Sequence, residues 1–373
     1  MLWKLRLHAV DDPLSSPLRR DRVQRGEVFA YIAGIVDGDG YLKVTRNYRT
    51  PGTVHPYYAS VVGVQQLWPS EAVSLFATIF GGTMMKPQAA PRRRLMARCE
   101  IRGGKAEAAT RRLLPFLLLK KGQAILVLEI ARLRPHRRGR ARPTETAYDD
   151  MERVRQAMLS LHDGSWPSVD ARLPVASCLS GYHELSPDEL GWSREQLFAY
   201  LAGIIDSDGS LRVEKRRVKG MLAPQYRISI RCAQVTPSPA VELLAKTFGG
   251  RLAFKKPSRP QHRELVSWSL HDKGAVPAIK ALLPYFRVKH LEAYHLLELR
   301  GLKAHGKQGL TEWEHRTRWQ RPIRMRKRCY TPDQVAEFER IHRAVQALHS
   351  RNLRAANPTG AIRLMRTSWI ESE

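Results

Sequence analysis

The chain has 373 residues, with 63 Lys and Arg against 35 Asp and Glu, for a formal charge of +28. Its length suits about two or three domains, and a 43% share of apolar residues is enough for sizeable cores. No uncharged apolar run reaches the roughly 18 residues of a membrane span. The charge excess is too large for a merely solvated surface and points to a polyanionic partner, nucleic acid first.

Residues 1–20, MLWKLRLHAVDDPLSSPLRR, lack a continuous apolar core and contain Asp11 and Asp12. They read as an N-terminal extension and a poor secretory signal. The four cysteines, Cys99, Cys178, Cys232 and Cys329, form no C-x-x-C pair. The expectation is reduced thiols in an intracellular protein, with neither a zinc site nor a disulfide framework.

A first domain is expected over 21–162. Its opening helix runs into YIAGIVDGDG (31–40). A strand follows, with Leu42 and Val44 on one face and Tyr41, Lys43 and Thr45 on the other. RLMARCEIR (94–102) alternates in the same way, setting Arg94, Met96, Arg98, Glu100 and Arg102 against Leu95, Ala97, Cys99 and Ile101. Residues 163–192, rich in Pro, Ser and Gly, read as a linker. The second domain is expected over 193–373. Ser193 and Gln196 have capping-box spacing at the start of a helix that ends at Gly209, in AYLAGIIDSDG (199–209). Arg212 and Glu214 then alternate with Leu211 and Val213. Arg227, Ser229 and Arg231 oppose Ile228, Ile230 and Cys232. Ser267, Ser269 and His271 oppose Val266, Trp268 and Leu270, and Arg251 and Lys255 flank a short strand. A basic insertion (about 303–332) and a C-terminal helix complete this half. The insertion is either a phosphate-gripping loop or a disordered segment.

The two halves repeat one another. YIAGIVDGDGYLKV (31–44) matches YLAGIIDSDGSLRV (200–213), and QLWPSEAVSLFATIFGG (66–82) matches QVTPSPAVELLAKTFGG (234–250). LLPFLLLKKGQA (113–124) matches LLPYFRVKHLEA (282–293), and MERVRQAMLSLH (151–162) echoes FERIHRAVQALH (338–349). Such a duplication predicts a pseudo-dimer in one chain, related by an approximate two-fold axis. Each motif helix carries small residues four apart, Ala30/Gly34 and Ala199/Gly203, suited to close helix approach. Packing of these helices on each other would bring Asp39 and Asp208 together at two helix C-termini. The dipole and mutual repulsion both disfavour that placement, and a divalent cation such as Mg²⁺ would relieve it. A calcium loop fails on spacing, since position 12 counted from Asp37 is Tyr48 and from Asp206 is Arg217. The alternating strands give each half a sheet with an apolar face and a basic, polar one, fit for the DNA major groove.

These residues resemble the signature of the LAGLIDADG homing endonucleases, in the single-chain form with two motifs. The likeness covers most of 21–300. It implies an α+β architecture of two tandem αββαββα domains related by a pseudo-two-fold axis, with antiparallel sheets forming a saddle over double-stranded DNA. It implies a monomeric, Mg²⁺- or Mn²⁺-dependent nuclease that breaks both strands at a long asymmetric site and leaves short 3′ overhangs. The resemblance casts Asp39 and Asp208 as metal ligands and catalytic acids, with Gly38 and Ser207 lending backbone carbonyls. It casts Lys120 and Lys289 as cations near the reacting phosphate, and Gln66 and Gln234 as supporting residues, with Gln65 a rival for Gln66. The polar sheet residues named above become candidate DNA contacts. Asp37 and Asp206 are expected to be helix-end structure. An RNA maturase acting on intron RNA and a catalytically inactive DNA-binding protein are the alternative roles; no membrane partner is expected.

Overall fold

A computed structural model of the chain describes residues 25–48, 55–85, 95–134, 144–163, 188–217, 224–257, 263–306, 309–316 and 322–349. The N-terminal extension, most of the expected linker and Arg94 lie outside them.

The first half begins with helix α1 (Arg25–Asp39), followed by strands β1 (Gly40–Asn47) and β2 (Tyr57–Leu67), helix α2 (Glu71–Phe80), strands β3 (Thr83–Met85) and β4 (Met96–Arg102) and helix α3 (Gly104–Leu113). Helices α4 (Lys121–Leu133) and α5 (Glu145–Asp163) close it. The second half runs α6 (Arg194–Asp208), β5 (Gly209–Arg216), β6 (Gln225–Val235), α7 (Pro239–Phe248), β7 (Arg251–Lys255), β8 (Leu265–His271), α8 (Ala275–Leu282) and α9 (His290–Ala304). Each half is therefore αββαββα with helices appended. The sheets are wholly antiparallel, in the orders β1-β2-β4-β3 and β5-β6-β8-β7.

Local chemistry explains the boundaries. Ser193 begins α6 with both bonds of a capping box, and Ser70 and Ser238 cap α2 and α7 by accepting from Val73 and Val241 N–H. Strand parity then decides burial. Leu42, Val62, Val64, Ala97 and Cys99 face the helices and are buried, as are Leu211, Ile228, Ile230, Cys232 and Trp268 in the second sheet. The opposite faces carry the Arg, Lys and Ser side chains.

Helices α1 and α6 are buried along most of their length, from Ala30 to Asp37 and from Ala199 to Asp206. They pack on each other so tightly that a Cβ on Gly34 would lie 2.2 Å from the Tyr200 carbonyl oxygen, and one on Gly203 would lie 2.3 Å from that of Tyr31. Backbone cannot yield to such a contact, so both positions require glycine. This seam joins the halves and aims both helix C-termini the same way.

The late echo in the sequence has a structural counterpart. Tyr58 Oη donates to Glu152 on α5 (2.6 Å), and Tyr226 Oη donates to Glu339 (2.5 Å) on α10 (Pro332–His349). Each half thus ties its last helix to its sheet through the same tyrosine–glutamate bond. The basic insertion, expected as a loop or a disordered segment, forms neither in its described part. Strands β9 (Gly309–Arg316) and β10 (Pro322–Cys329) pair antiparallel as a separate two-stranded sheet before α10.

Candidate active site

The site is built from helix ends upward. α1 ends at Asp39 and α6 at Asp208, and in both the next residue starts a strand. The two carboxylates are brought together. A Cβ on Gly38 would lie 3.0 Å from Asp208 Oδ2 and 2.0 Å from Ser207 Oγ. Gly38 is thus a residue that only glycine fits while serine occupies 207. Ser207 itself turns its hydroxyl back to donate to the carbonyls of Gly203 (2.9 Å) and Ile204 (3.0 Å).

Both acids are oriented by an amide. Gln66 Nε2 donates to Asp39 Oδ2 at 2.8 Å, and Gln234 Nε2 donates to Asp208 Oδ2 at 2.7 Å. The amides are oriented in turn, because Ser70 and Ser238 each donate to the glutamine Oε1 at 2.5 Å. Gln66 rather than Gln65 fills this role because of strand parity. Gln66 pairs with Ala97 on the helix side of β2, whereas Gln65 pairs with Arg98 on the polar side. The serines escape a search for chemistry in the sequence because they read as ordinary N-caps. Their one signal is that Gln-x-x-Pro-Ser occurs in both halves at matching places.

Lys120 and Lys289 stand beneath the acids. Lys120 Nζ donates to the carbonyls of Val36 (2.8 Å), Asp37 (2.7 Å) and Gly38 (3.1 Å). Lys289 Nζ donates to those of Ile205 (2.7 Å) and Asp206 (2.6 Å). The lysines therefore satisfy the orphan carbonyls of the two helix C-termini and oppose their negative dipole ends. That removes part of the penalty for carboxylates at these ends, a task that sequence alone assigned to a cation. Gly38's carbonyl, expected to face a metal, has one lone pair turned to Lys120.

Electrostatics follow from crowding. Burial pushes the Asp39 carboxyl above the usual aspartate range; the Gln66 bond opposes this, Asp208 reinforces it, and Lys289 and Lys120 lower it again. Burial pushes the Lys120 ammonium below its usual range, opposed by Asp37, Asp208 and Asp39. Asp37 and Asp206, expected as helix-end structure, are buried and accept the backbone N–H groups of 118–120 and 287–289 respectively.

A divalent cation fits this donor set. Among the described residues no group of three or more His, Cys, Asp or Glu converges. Two carboxylates, with waters in the remaining positions, are hard oxygen donors of the kind a divalent cation takes. Asp39 and Asp208 would hold it, and the glutamines, which present N–H to the acids, orient them without ligating.

β1 and β5 start directly after the acids, at Gly40 and Gly209, and belong to the two sheets that carry the polar faces. On the first, Glu100 is buried, accepting from Tyr41 Oη (2.7 Å), Arg98 Nη2 (2.7 Å) and Arg102 Nε (2.7 Å), with Lys43 at 3.8 Å. Burial alone would raise its carboxyl, but those bonds hold it down at about 2. Glu100 is on the expected face but anchors the cations beside it instead of facing outward. Tyr41 reaches it by lying across Gly63, where a Cβ would be 2.3 Å from the ring. Thr45 turns its hydroxyl to the Ala59 carbonyl. On the second face, Glu214 pairs with Arg231 and with Arg216 (2.8 Å) and accepts from Ser229 (3.3 Å). Arg227 pairs with Asp272 (3.3 Å), and Ser267 donates to the Ala253 carbonyl. Arg212, Arg251 and Lys255 are exposed, and Ser269 and His271 are partly so.

No known family pattern and no curated protein matches the sequence itself. Solved structures do match. One is I-SmaMI bound to uncleaved DNA target in the presence of calcium ions (TM-score 0.57, 13% identity, 85% of this chain and 98% of that one). Another is the I-SmaMI LAGLIDADG homing endonuclease bound to cleaved DNA (TM-score 0.53, 14% identity, 84% and 95%). A third is the I-LtrWI LAGLIDADG homing endonuclease bound to target DNA (TM-score 0.56, 12% identity, 85% and 97%). With two antiparallel four-stranded sheets joined at paired motif helices, the chain has the fold of the single-chain, two-domain LAGLIDADG homing endonucleases.

Proposed function

We propose that the protein is a site-specific DNA endonuclease acting as a monomer, and that it breaks both strands at a long asymmetric site with a divalent metal, leaving short 3′ overhangs. The observation that carries this reading is the pairing of Asp39 and Asp208 at two helix tips, each of which runs directly into a sheet with a basic face. A protein that only bound nucleic acid would gain nothing from two carboxylates aimed at a polyanion, since they repel it. The similar structures hold DNA, one with calcium and one with the DNA cleaved, which supports the same reading.

The chain's own residues would divide the work by halves. The sheet faces track backbone and base edges through Arg98, Arg102, Arg212, Arg231 and Arg251. Buried Glu100 and half-buried Glu214 fix the arginine forks before DNA arrives, which lowers the ordering cost of binding. At the tips, Gln66 and Gln234 hold one oxygen of each acid, leaving the other free for a cation. Lys120 and Lys289 neutralise the helix ends so that two acids can share the space. A divalent cation held there would supply Lewis acidity toward the phosphate and a more acidic water.

Cleavage of a randomised plasmid library with Mg²⁺ tests the proposal. Linear product is expected from the native chain, while Asp39→Asn and Asp208→Asn lose double-strand cutting and retain DNA binding. Undiminished cutting by either variant refutes these ligands. Tight binding to a structured intron RNA with no DNA scission refutes the nuclease.

A further inference from the structure

Two buried hydroxyls have no part in the mechanism above. Tyr31 lies on α1 and Tyr200 on α6, each six residues before the first aspartate of its own motif, and each ring is buried in the seam. Among the described residues, neither hydroxyl bonds within its own half. Tyr200 Oη donates across the seam to Asp37 Oδ2 at 2.8 Å, and Tyr31 Oη donates to Asp206 Oδ2 at 2.9 Å.

The accepting carboxylates do more than end helices. Asp37 receives the N–H groups of Leu118 (2.8 Å), Leu119 (3.1 Å) and Lys120 (2.8 Å). Asp206 receives those of Arg287 (2.8 Å), Val288 (3.1 Å) and Lys289 (2.9 Å). The turn that carries each active-site lysine therefore hangs on one carboxylate, and that carboxylate takes a further donor from the opposite half. A buried carboxylate has about four lone-pair sites and shifts toward other donors when one is lost. Removing a tyrosine hydroxyl disturbs the lysine turn of the other half first.

We propose that Tyr31 and Tyr200 are crossed positioning residues. Tyr200 sets the Lys120 turn beneath Asp39, and Tyr31 sets the Lys289 turn beneath Asp208, so that neither centre is fully formed unless the seam is closed. The consequence for catalysis rests on the nuclease reading. The crossing explains why a tyrosine stands at both places, since packing alone would be met by phenylalanine, whose ring needs no buried partner.

The experiment uses the full chain with Tyr31→Phe and Tyr200→Phe. It combines strand-resolved single-turnover cleavage with Mg²⁺ and amide hydrogen exchange over 118–120 and 287–289. Tyr200→Phe is expected to raise exchange at 118–120 by about tenfold, the value of one hydrogen bond to a buried carboxylate, and to leave 287–289 unchanged. It should slow one strand by a similar factor, so that nicked circles accumulate. Tyr31→Phe should loosen 287–289 and slow the opposite strand. Asp37→Asn should reproduce the strand bias of Tyr200→Phe, and the double variant should add little to either. This holds the idea to account if the phenylalanine chain folds poorly. Slowing of the same strand by both tyrosine variants, equal slowing of both strands, or loosening on the tyrosine's own side overturns the crossing. Crossed exchange in a native chain that cuts no DNA supports the positioning and sinks the nuclease reading alone.

Discussion

Between the two halves, the helix tips repeat almost atom for atom, whereas the sheet faces do not. At the tips, glutamine to aspartate measures 2.8 and 2.7 Å, serine to glutamine 2.5 Å in both, and tyrosine to aspartate 2.8 and 2.9 Å. On the faces, the first half gathers its cations around Glu100 of β4, and the second around Glu214 of β5, from a different strand and a different set of neighbours. The contrast separates two demands. On the proposed nuclease reading, groups that handle a phosphodiester would meet the same chemistry on both strands, so any change would damage one of them. Under the same reading, groups that read bases would meet different sequences on the two sides of an asymmetric site, and divergence is then useful. One break in the tip symmetry, Gly38 against Ser207, is steric, because only one of the two positions has room for a side chain.

The comparison is broken most severely at the seam. Gly34→Ala or Gly203→Ala drives a Cβ into the backbone of the facing helix, and should cost more than about 3 kcal/mol, beyond ordinary overpacking. Chemical denaturation would show it as a lower midpoint, and a midpoint like the native one would mean the helices do not touch here. Gly38→Ser should be damaging for a related reason, and Ser207→Gly in the same chain should restore stability. Failure of that rescue would show that the asymmetry is not steric.

A step down in size lies Glu100→Gln. It removes the charge that holds Arg98 and Arg102, at about 2 kcal/mol for hydrogen bonds to a charged group. Its pH signature has a definite sign. The carboxyl is held at about 2 against an ordinary 4.5. Its stabilisation is therefore complete above 4.5 and lost as pH falls toward 2. The native chain should weaken across that window more than the variant, as read by thermal unfolding at a series of pH values.

Asp39 has the opposite shift. Its raised carboxyl picks up a proton at a higher pH than an ordinary aspartate, and a protonated acid is a poor metal ligand. The Mg²⁺ concentration for half-maximal cutting should therefore rise on acidification before the ordinary aspartate range is reached. A requirement flat down to that range would contradict the crowded site.

The smallest effect is expected at the rim. Arg251→Ala takes one exposed cation from β7. It should weaken DNA binding similarly for all sequences and lower the salt slope of binding by about 1. A change confined to particular base pairs would instead make Arg251 a reader.

Much of this was legible in the residue order. Two copies of one motif, Ser193 with Gln196 at a helix start, and strict alternation in β4, β6 and β8 all act over a few residues. Capping and strand parity need no distant partner. The same parity could have preferred Gln66 to Gln65, had the facing side of β2 been known. The basic insertion was misread because its long charged run resembles a loop, while its pairing depends on two strands finding each other across residues 317–321.

By itself, then, the sequence determined the duplication, the place of each helix end and the side on which each strand residue falls, because these rest on local geometry and period. Only the tertiary structure decided which groups meet. Tyr31 and Asp206 are 175 positions apart, and Lys120 is 84 from the Val36 carbonyl that it covers. Such contacts are chosen by how closely two buried helices can approach, and that distance is set by the whole packed seam.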